Sequence, residues 1–229
     1  MSPYSEILKA LSVAQVEFIV GGGVACVLHG VERVTMDVDV SVHMNPDNLG
    51  RFIGVMAALG LKPRVPISPF NLLEPAVIRL MVEEKHALVF SFVDPDLPFR
   101  HVDMFLTADL SYESLLPDSE WIDLEEARIR IVNRQRLLAI KLAIKPLRAK
   151  DALDIEFLRH HETEPDHVPV PEMTPAVWAV LRHSRPEDYD GHTGFEHMTP
   201  AARLAWLETA VEFVSRHAKR QPAAPSHQL

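Results

Sequence analysis

Apolar positions first recur at helical spacing over residues 4–14 and then change rhythm. VEFIV (16–20) is a run of β-branched and aromatic residues that predicts a strand, ended by Gly21, Gly22 and Gly23. GVACVLHG (23–30) fits a short helix that Gly30 closes. DVDVSV (37–42) alternates strictly, which is the period of a strand. Asn45 and Pro46 form an N-cap and first-turn pair. Leu49, Phe52, Ile53, Met56 and Leu59 then repeat with helical spacing up to Gly60.

Pro63, Pro66, Pro69 and Pro75 predict a loop. HALVFSFV (86–93) and RHVDMFLT (100–107) read as strands joined by the turn DPDLP, an antiparallel hairpin. ARIRIV (127–132) is a further strand, Asn133 caps a helix from Arg134 to about Ile144, and AKDALDIEFLRHH predicts another. From His161 the pattern changes to HETEPDHVPVPEM, read as a linker or surface loop. MTPA occurs at 173–176 and at 198–201, with Thr as N-cap and Pro at the first helical position. The segments downstream of the two copies differ, so the copies share capping chemistry rather than forming a repeat. The second helix carries Leu204, Leu207, Val211 and Val214 on one face, and the tail AKRQPAAPSHQL is expected to be disordered. The expected organisation is a domain over 1–160, a helical extension over 161–220 and a tail over 221–229.

Composition narrows the class. The 229 residues suffice for one large domain or two small ones, and 47% apolar with 24% charged residues is ordinary for a globular protein. Cys26 is the single cysteine, so an internal disulfide is excluded and a reducing, cytoplasmic setting is expected. No run approaches the ~18 apolar residues of a membrane span, and MSPYSEILKA lacks the features of a secretory signal. A net charge of −9 argues against a long nucleic-acid track but not against a small anionic substrate.

The chemistry concentrates in residues 18–42. Asp37 and Asp39 lie two apart on a predicted strand, so both leave one face, with Cα atoms ~6.6 Å apart. Like charges that close call for a cation, and magnesium favours one or two carboxylates, waters and phosphate oxygens. A glycine turn ahead of a helix lets backbone N–H groups approach phosphates. The pair Asp94 and Asp96 is an internal control: Pro95 and Pro98 place it in a turn, where Asp serves local hydrogen bonding. Gly21, Gly23 and Asp39 also partly match a dinucleotide fingerprint, but the third glycine position is Cys26 and the helix is short for a crossover. Two-metal phosphoryl chemistry uses a third acid from a neighbouring strand, and Asp103 lies between Val102 and Met104.

In order, Gly22-Gly23, thirteen intervening residues, Asp37-Val38-Asp39 and Asp103 resemble the nucleotidyltransferase superfamily with a polymerase-beta-like palm. Gly22, Gly23, Ala25, Arg33, Thr35, Asp37 and Asp39 look closest to bacterial AbiEii-like toxins and minimal nucleotidyltransferases. Lys141 and the run Arg148, Lys150, Asp151, Asp154 resemble that branch's late element, so the likeness covers about 12–160. It implies an α+β fold, a mixed or antiparallel palm sheet flanked by helices with a C-terminal helical extension.

The resemblance also implies that Asp37, Asp39 and Asp103 bind Mg²⁺ (or Mn²⁺) and catalyse transfer of an NMP from an NTP to an acceptor hydroxyl. Gly22, Gly23, Arg33, Thr35, Lys141, Arg148 and Lys150 then contact the nucleotide, with Asp151 and Asp154 behind them. The acceptor is left open among tRNA or other RNA, a small molecule and a protein, as is a cognate antitoxin partner. Lys141 falls on the apolar face of its helix, directed at triphosphate or at Asp151 or Asp154, or else snorkelling outward. His160, His161 and His167 lack zinc-type spacing and read as solvated. A catalytically silent nucleotide-binding or protein-interaction module on the same fold is the alternative of a different class.

Overall fold

The computed structural model describes residues 3–97, 100–160 and 194–218. The 161–172 linker, the first MTPA segment, His161, His167 and the 219–229 tail lie outside the described residues. The chain begins with α1 (Pro3–Val13), β1 (Phe18–Val20), α2 (Gly22–Leu28), β2 (Val38–Val42) and α3 (Pro46–Ala58). A two-residue β3 (Lys62–Pro63), a 3₁₀ turn (Pro69–Leu73) and α4 (Pro75–Arg79) lead to β4 (Val89–Val93) and β5 (His101–Phe105). Then come α5 (Tyr112–Leu115), β6 (Ser119–Leu124), β7 (Ala127–Val132), α6 (Arg134–Ala143), α7 (Ala149–His160) and α8 (Pro200–Ala218).

The strands form one mixed seven-stranded sheet, ordered β3-β4-β5-β2-β1-β7-β6. β1 pairs antiparallel with β2 and parallel with β7, while β2 and β5 run parallel. This is the expected α+β architecture of a mixed sheet flanked by helices. Because β1 and β2 are antiparallel neighbours, α2 is not a crossover between parallel strands, and the dinucleotide-binding reading falls.

Alternation decides which way each strand faces. Val38 and Val40 on β2, Val102 and Met104 on β5, and Phe90 and Phe92 on β4 are all buried on one side. There they meet Leu8 and Leu11 of α1, Phe52 and Met56 of α3, and Leu204, Leu207 and Val211 of α8 in one cluster. Each fully buried side chain of this size contributes about 1.5–3 kcal/mol. On the other side Ile19 and Val132 meet Leu115 of α5, Leu137 of α6 and Leu158 of α7. Asp39 and Asp103, one residue out of phase with the valines, face this second side.

Local signals mostly act as expected. The Asn45 side chain accepts from the Asn48 N–H at 2.8 Å, and the Thr199 hydroxyl accepts from the Ala202 N–H at 3.2 Å. Gly30 and Gly60 adopt φ of +104° and +77° after their helices. Three expectations need correction. The proline-rich stretch is not simply a loop, since its prolines start short helical turns at Pro69 and Pro75. Val214 is 42% exposed, one turn past Val211, which is 4% exposed. β6 was not expected. Its sequence SEWIDL is polar, it lies at the sheet edge, and its hairpin turn uses Glu125 and Glu126 rather than turn-forming residues.

Candidate active site

The site is built at the N-terminal ends of β2 and β5. Their parallel register places Asp39 directly beside Asp103. Asp37 lies one residue before β2 begins and is fixed by its neighbours. The Thr35 hydroxyl donates to Asp37 Oδ1 at 2.6 Å, and the Tyr4 hydroxyl of α1 donates to the Thr35 carbonyl at 2.7 Å. Burial, and then the charge of Asp37, hold the Tyr4 phenol well above the ordinary tyrosine range. The first helix of the chain thus anchors the segment that carries the first carboxylate.

The glycines have a steric explanation inside the site. Gly22 adopts φ +55°, and a Cβ there would overlap the Asp39 carboxyl. A Cβ on Gly23 would overlap the Thr35 hydroxyl, and the Gly23 N–H donates to Asp39 Oδ2 at 3.4 Å. The first turn of α2 therefore packs on the carboxylate strand with no room for a side chain. Gly22→Ala is expected to lower stability by about 2 kcal/mol or more, combining backbone strain with overpacking. The measurement is urea unfolding, and a wild-type midpoint would refute the close packing.

Asp39 feels its neighbours strongly. Burial first, and then the charges of Asp37 and Asp103, push its carboxyl up to about 7, against the Gly23 N–H and Lys141. His101, two residues before Asp103, shares its face, with Nε2 4.0 Å from Asp103 Oδ2. Asp37, His101 and Asp103 each present a ligand atom within 4.8 Å of the others. Asp103 Oδ1 and His101 Nδ1 are buried without a hydrogen-bond partner. Clustered acids that repel, orphaned polar atoms and a donor set of carboxylate oxygens with one imidazole together fit a divalent cation.

Behind the acids lies a buried ionic network. Lys141, 4% exposed, places its ammonium 3.1 Å from Asp151 Oδ1 and 2.8 Å from Asp154 Oδ2. Arg33 Nη1 lies 2.6 Å from Asp154 Oδ2, and Arg148 binds Asp151 through both Nε and Nη2. Burial would push the Asp151 carboxyl up, but the hydrogen bonds from Arg148 and Lys141 hold it down at about 2. Burial works against the Lys141 ammonium, yet Cys26, Asp154 and Asp151 outweigh it and raise its pKa.

Arg148 is half exposed, and its pKa is raised first by the Asp151 hydrogen bond, against burial, with the charges of Asp151, Asp37 and Asp39 adding to the rise. Lys150 is exposed on the first turn of α7. Of the candidate residues, Asp37, Asp39, Asp103, Gly22, Gly23 and Thr35 come together. Arg33 and Lys141 have their cationic groups on Asp154 and Asp151.

Asp94 accepts from the N–H groups of Asp96 and Leu97 and pairs with Arg100, the local turn role expected of the control pair. Sequence reasoning missed Tyr4 and His101. For His101 a signal existed, namely its i−2 relation to Asp103 on an alternating strand; for Tyr4 there was none.

No family model matches the chain, and no curated protein sequence is significantly similar to it. Solved structures are. The lincosamide antibiotic adenylyltransferase LnuA, in its lincomycin-bound form, is 13% identical with a TM-score of 0.46, covering 69% of this chain and 94% of its own. JHP933 from Helicobacter pylori is 17% identical with a TM-score of 0.41, covering 95% and 94%. A candidate nucleotidyltransferase from H. pylori is 15% identical with a TM-score of 0.40, covering 97% and 96%. Nucleotidyltransferases are thus among the structures this chain is similar to, and the likeness is one of chain path. Among the described residues no helix is long and apolar enough to cross a membrane.

Proposed function

We propose that this chain is a metal-dependent nucleotidyltransferase that moves an NMP from an NTP to an acceptor hydroxyl and releases pyrophosphate. The observation that carries the reading is the in-register meeting of Asp39 and Asp103 on parallel strands, with Asp37 on the same end. Divalent cations held by Asp37, Asp39 and Asp103, Mg²⁺ or Mn²⁺, would neutralise triphosphate charge and ease deprotonation of the acceptor. Asp103 orients the acceptor hydroxyl and takes its proton as the oxygen bonds to the α-phosphorus. The bond to the bridging oxygen breaks, and pyrophosphate leaves. The turn at Gly22 and Gly23, free of side chains, lets the β- and γ-phosphates approach the backbone beside Asp39. Arg148 and Lys150 face the leaving anion from the α6–α7 side. Arg33, Thr35 and Lys141 act by holding the segments that carry Asp37 and Arg148 in place.

The acceptor is proposed by chemistry only, a hydroxyl on an RNA end, a small molecule or a protein. The acidic net charge supports a compact acceptor over a long polyanion. A place in a toxin–antitoxin pair belongs to the same proposal, with RNA as the acceptor. The test is incubation with each labelled NTP, Mg²⁺ and total cell extract, followed by nuclease, protease or dialysis to sort the labelled fraction. Labelling with pyrophosphate release supports the reading. Binding of Mg-NTP without either result would leave a silent nucleotide-binding module.

A further inference from the structure

We propose that His101 is a direct ligand of the cation in this site, and that its nitrogen makes the site select manganese over magnesium. The inference rests on the reading of the acids as a cation centre. His101 and Asp103 leave the same face of β5, and the Nε2 to Oδ2 separation is 4.0 Å. With Asp37, their ligand atoms all lie within 4.8 Å of one another, so small side-chain shifts bring all three onto one ion.

The imidazole is mostly buried, its side chain 16% exposed, and Nδ1 has no hydrogen-bond partner. Asp103 Oδ1 is orphaned beside it. At 4.0 Å, Nε2 and Oδ2 are too far apart to hydrogen-bond to each other, which leaves both able to share a cation. The neighbouring Arg100 is committed elsewhere, to Glu6 and Asp94, so it does not neutralise this corner.

Donor chemistry then decides the metal. Magnesium favours an all-oxygen octahedron and keeps its waters, whereas imidazole suits later first-row ions. Two carboxylates and one imidazole form a mixed oxygen and nitrogen set. Of the two ions considered for the triphosphate, manganese tolerates the nitrogen better than magnesium does, so the imidazole tips the site toward manganese over magnesium.

The test uses the full chain with Mn²⁺ and pulsed electron paramagnetic resonance to detect nitrogen coupled to the bound ion. Coupling from one imidazole is expected in the wild type and is expected to vanish in His101→Asn. Competition titration should show Mn²⁺ bound at least about tenfold more tightly than Mg²⁺, with the ratio falling toward parity in the variant. Should His101→Asn misfold, His101→Gln carries the same comparison, and a wild type without nitrogen coupling overturns the proposal by itself.

Bound manganese without nitrogen coupling, or coupling that persists in His101→Asn, overturns the proposal. Pyrophosphate release measured in parallel separates the two readings. Release with an all-oxygen site sinks the histidine ligand and keeps the transferase. Nitrogen-coupled manganese without release keeps the ligand and sinks the transferase. No binding of Mn²⁺ at all sinks the histidine ligand, and sinks the transferase as well if Mg²⁺ supports no pyrophosphate release.

Discussion

Asp39→Asn is expected to lower nucleotidyl transfer by three orders of magnitude or more, about the scale on which losing a group that binds transition-state charge acts, while making the metal-free protein more stable at alkaline pH. The two effects share a cause. Asp39 is pushed up to about 7 by burial and then by Asp37 and Asp103, so in chelator the folded state binds its proton more tightly than the unfolded chain does. Stability therefore falls as pH rises from about 4 to about 7 and stays low above that, by roughly 4 kcal/mol at most for a shift of about three units. Asparagine removes the charge and still accepts from the Gly23 N–H. Near pH 4 the variant and the wild type should unfold at similar urea concentrations, and near pH 8 the variant should outlast the wild type. Adding Mn²⁺ or Mg²⁺ should stabilise the wild type markedly and the variant little. A variant that melts earlier at alkaline pH, or that keeps its transfer activity, would separate Asp39 from the site.

The acids are readable in the chain for a definite reason. Strict alternation through DVDVSV sets Asp39 opposite to Val38 and Val40, and the same period through HVDMF sets Asp103 opposite to Val102 and Met104, while Asp37, one residue ahead of β2, is held by Thr35. What the alternation does not carry is which strands lie side by side. The parallel pairing of β2 with β5 is a tertiary outcome, made possible by the long detour through α3 and β4. His101 is hidden by its commonness, one of twelve histidines with no zinc-type spacing. The glycines point to phosphate because that is what such turns do in isolation. Their tight packing on Asp39 and Thr35 depends on how α2 settles on β2, which local sequence does not encode. β6 escapes a reading by pattern because an edge strand needs only one apolar face, and Trp121 sits there half exposed against Arg128 and Arg130.

Lys141 is legible as an inward lysine, but its partner is not, and the network it joins gives the second large effect. Lys141→Met is expected to cost about 3–5 kcal/mol, because it leaves Asp151 and Asp154 buried with less positive charge than they need. Asp151 is held down at about 2, so its contribution to stability is present above about 4 and lost as pH falls through about 2. The penalty of Lys141→Met should accordingly be largest at neutral pH and shrink as Asp151 protonates. Adding Asp151→Asn to Lys141→Met should recover about half of the loss or more, a coupling typical of groups in one network. The reason is geometric. Arg148 is half exposed and can take water in place of Asp151, while Asp154 keeps Arg33 at 2.6 Å. Urea unfolding of the two single variants and the double closes the cycle. Strict additivity would show that Lys141 and Asp151 do not act as a pair. A Lys141→Met protein of wild-type stability that no longer binds Mg-NTP would show instead that the ammonium is spent on triphosphate, and the network would have to be redrawn with Lys141 facing the nucleotide.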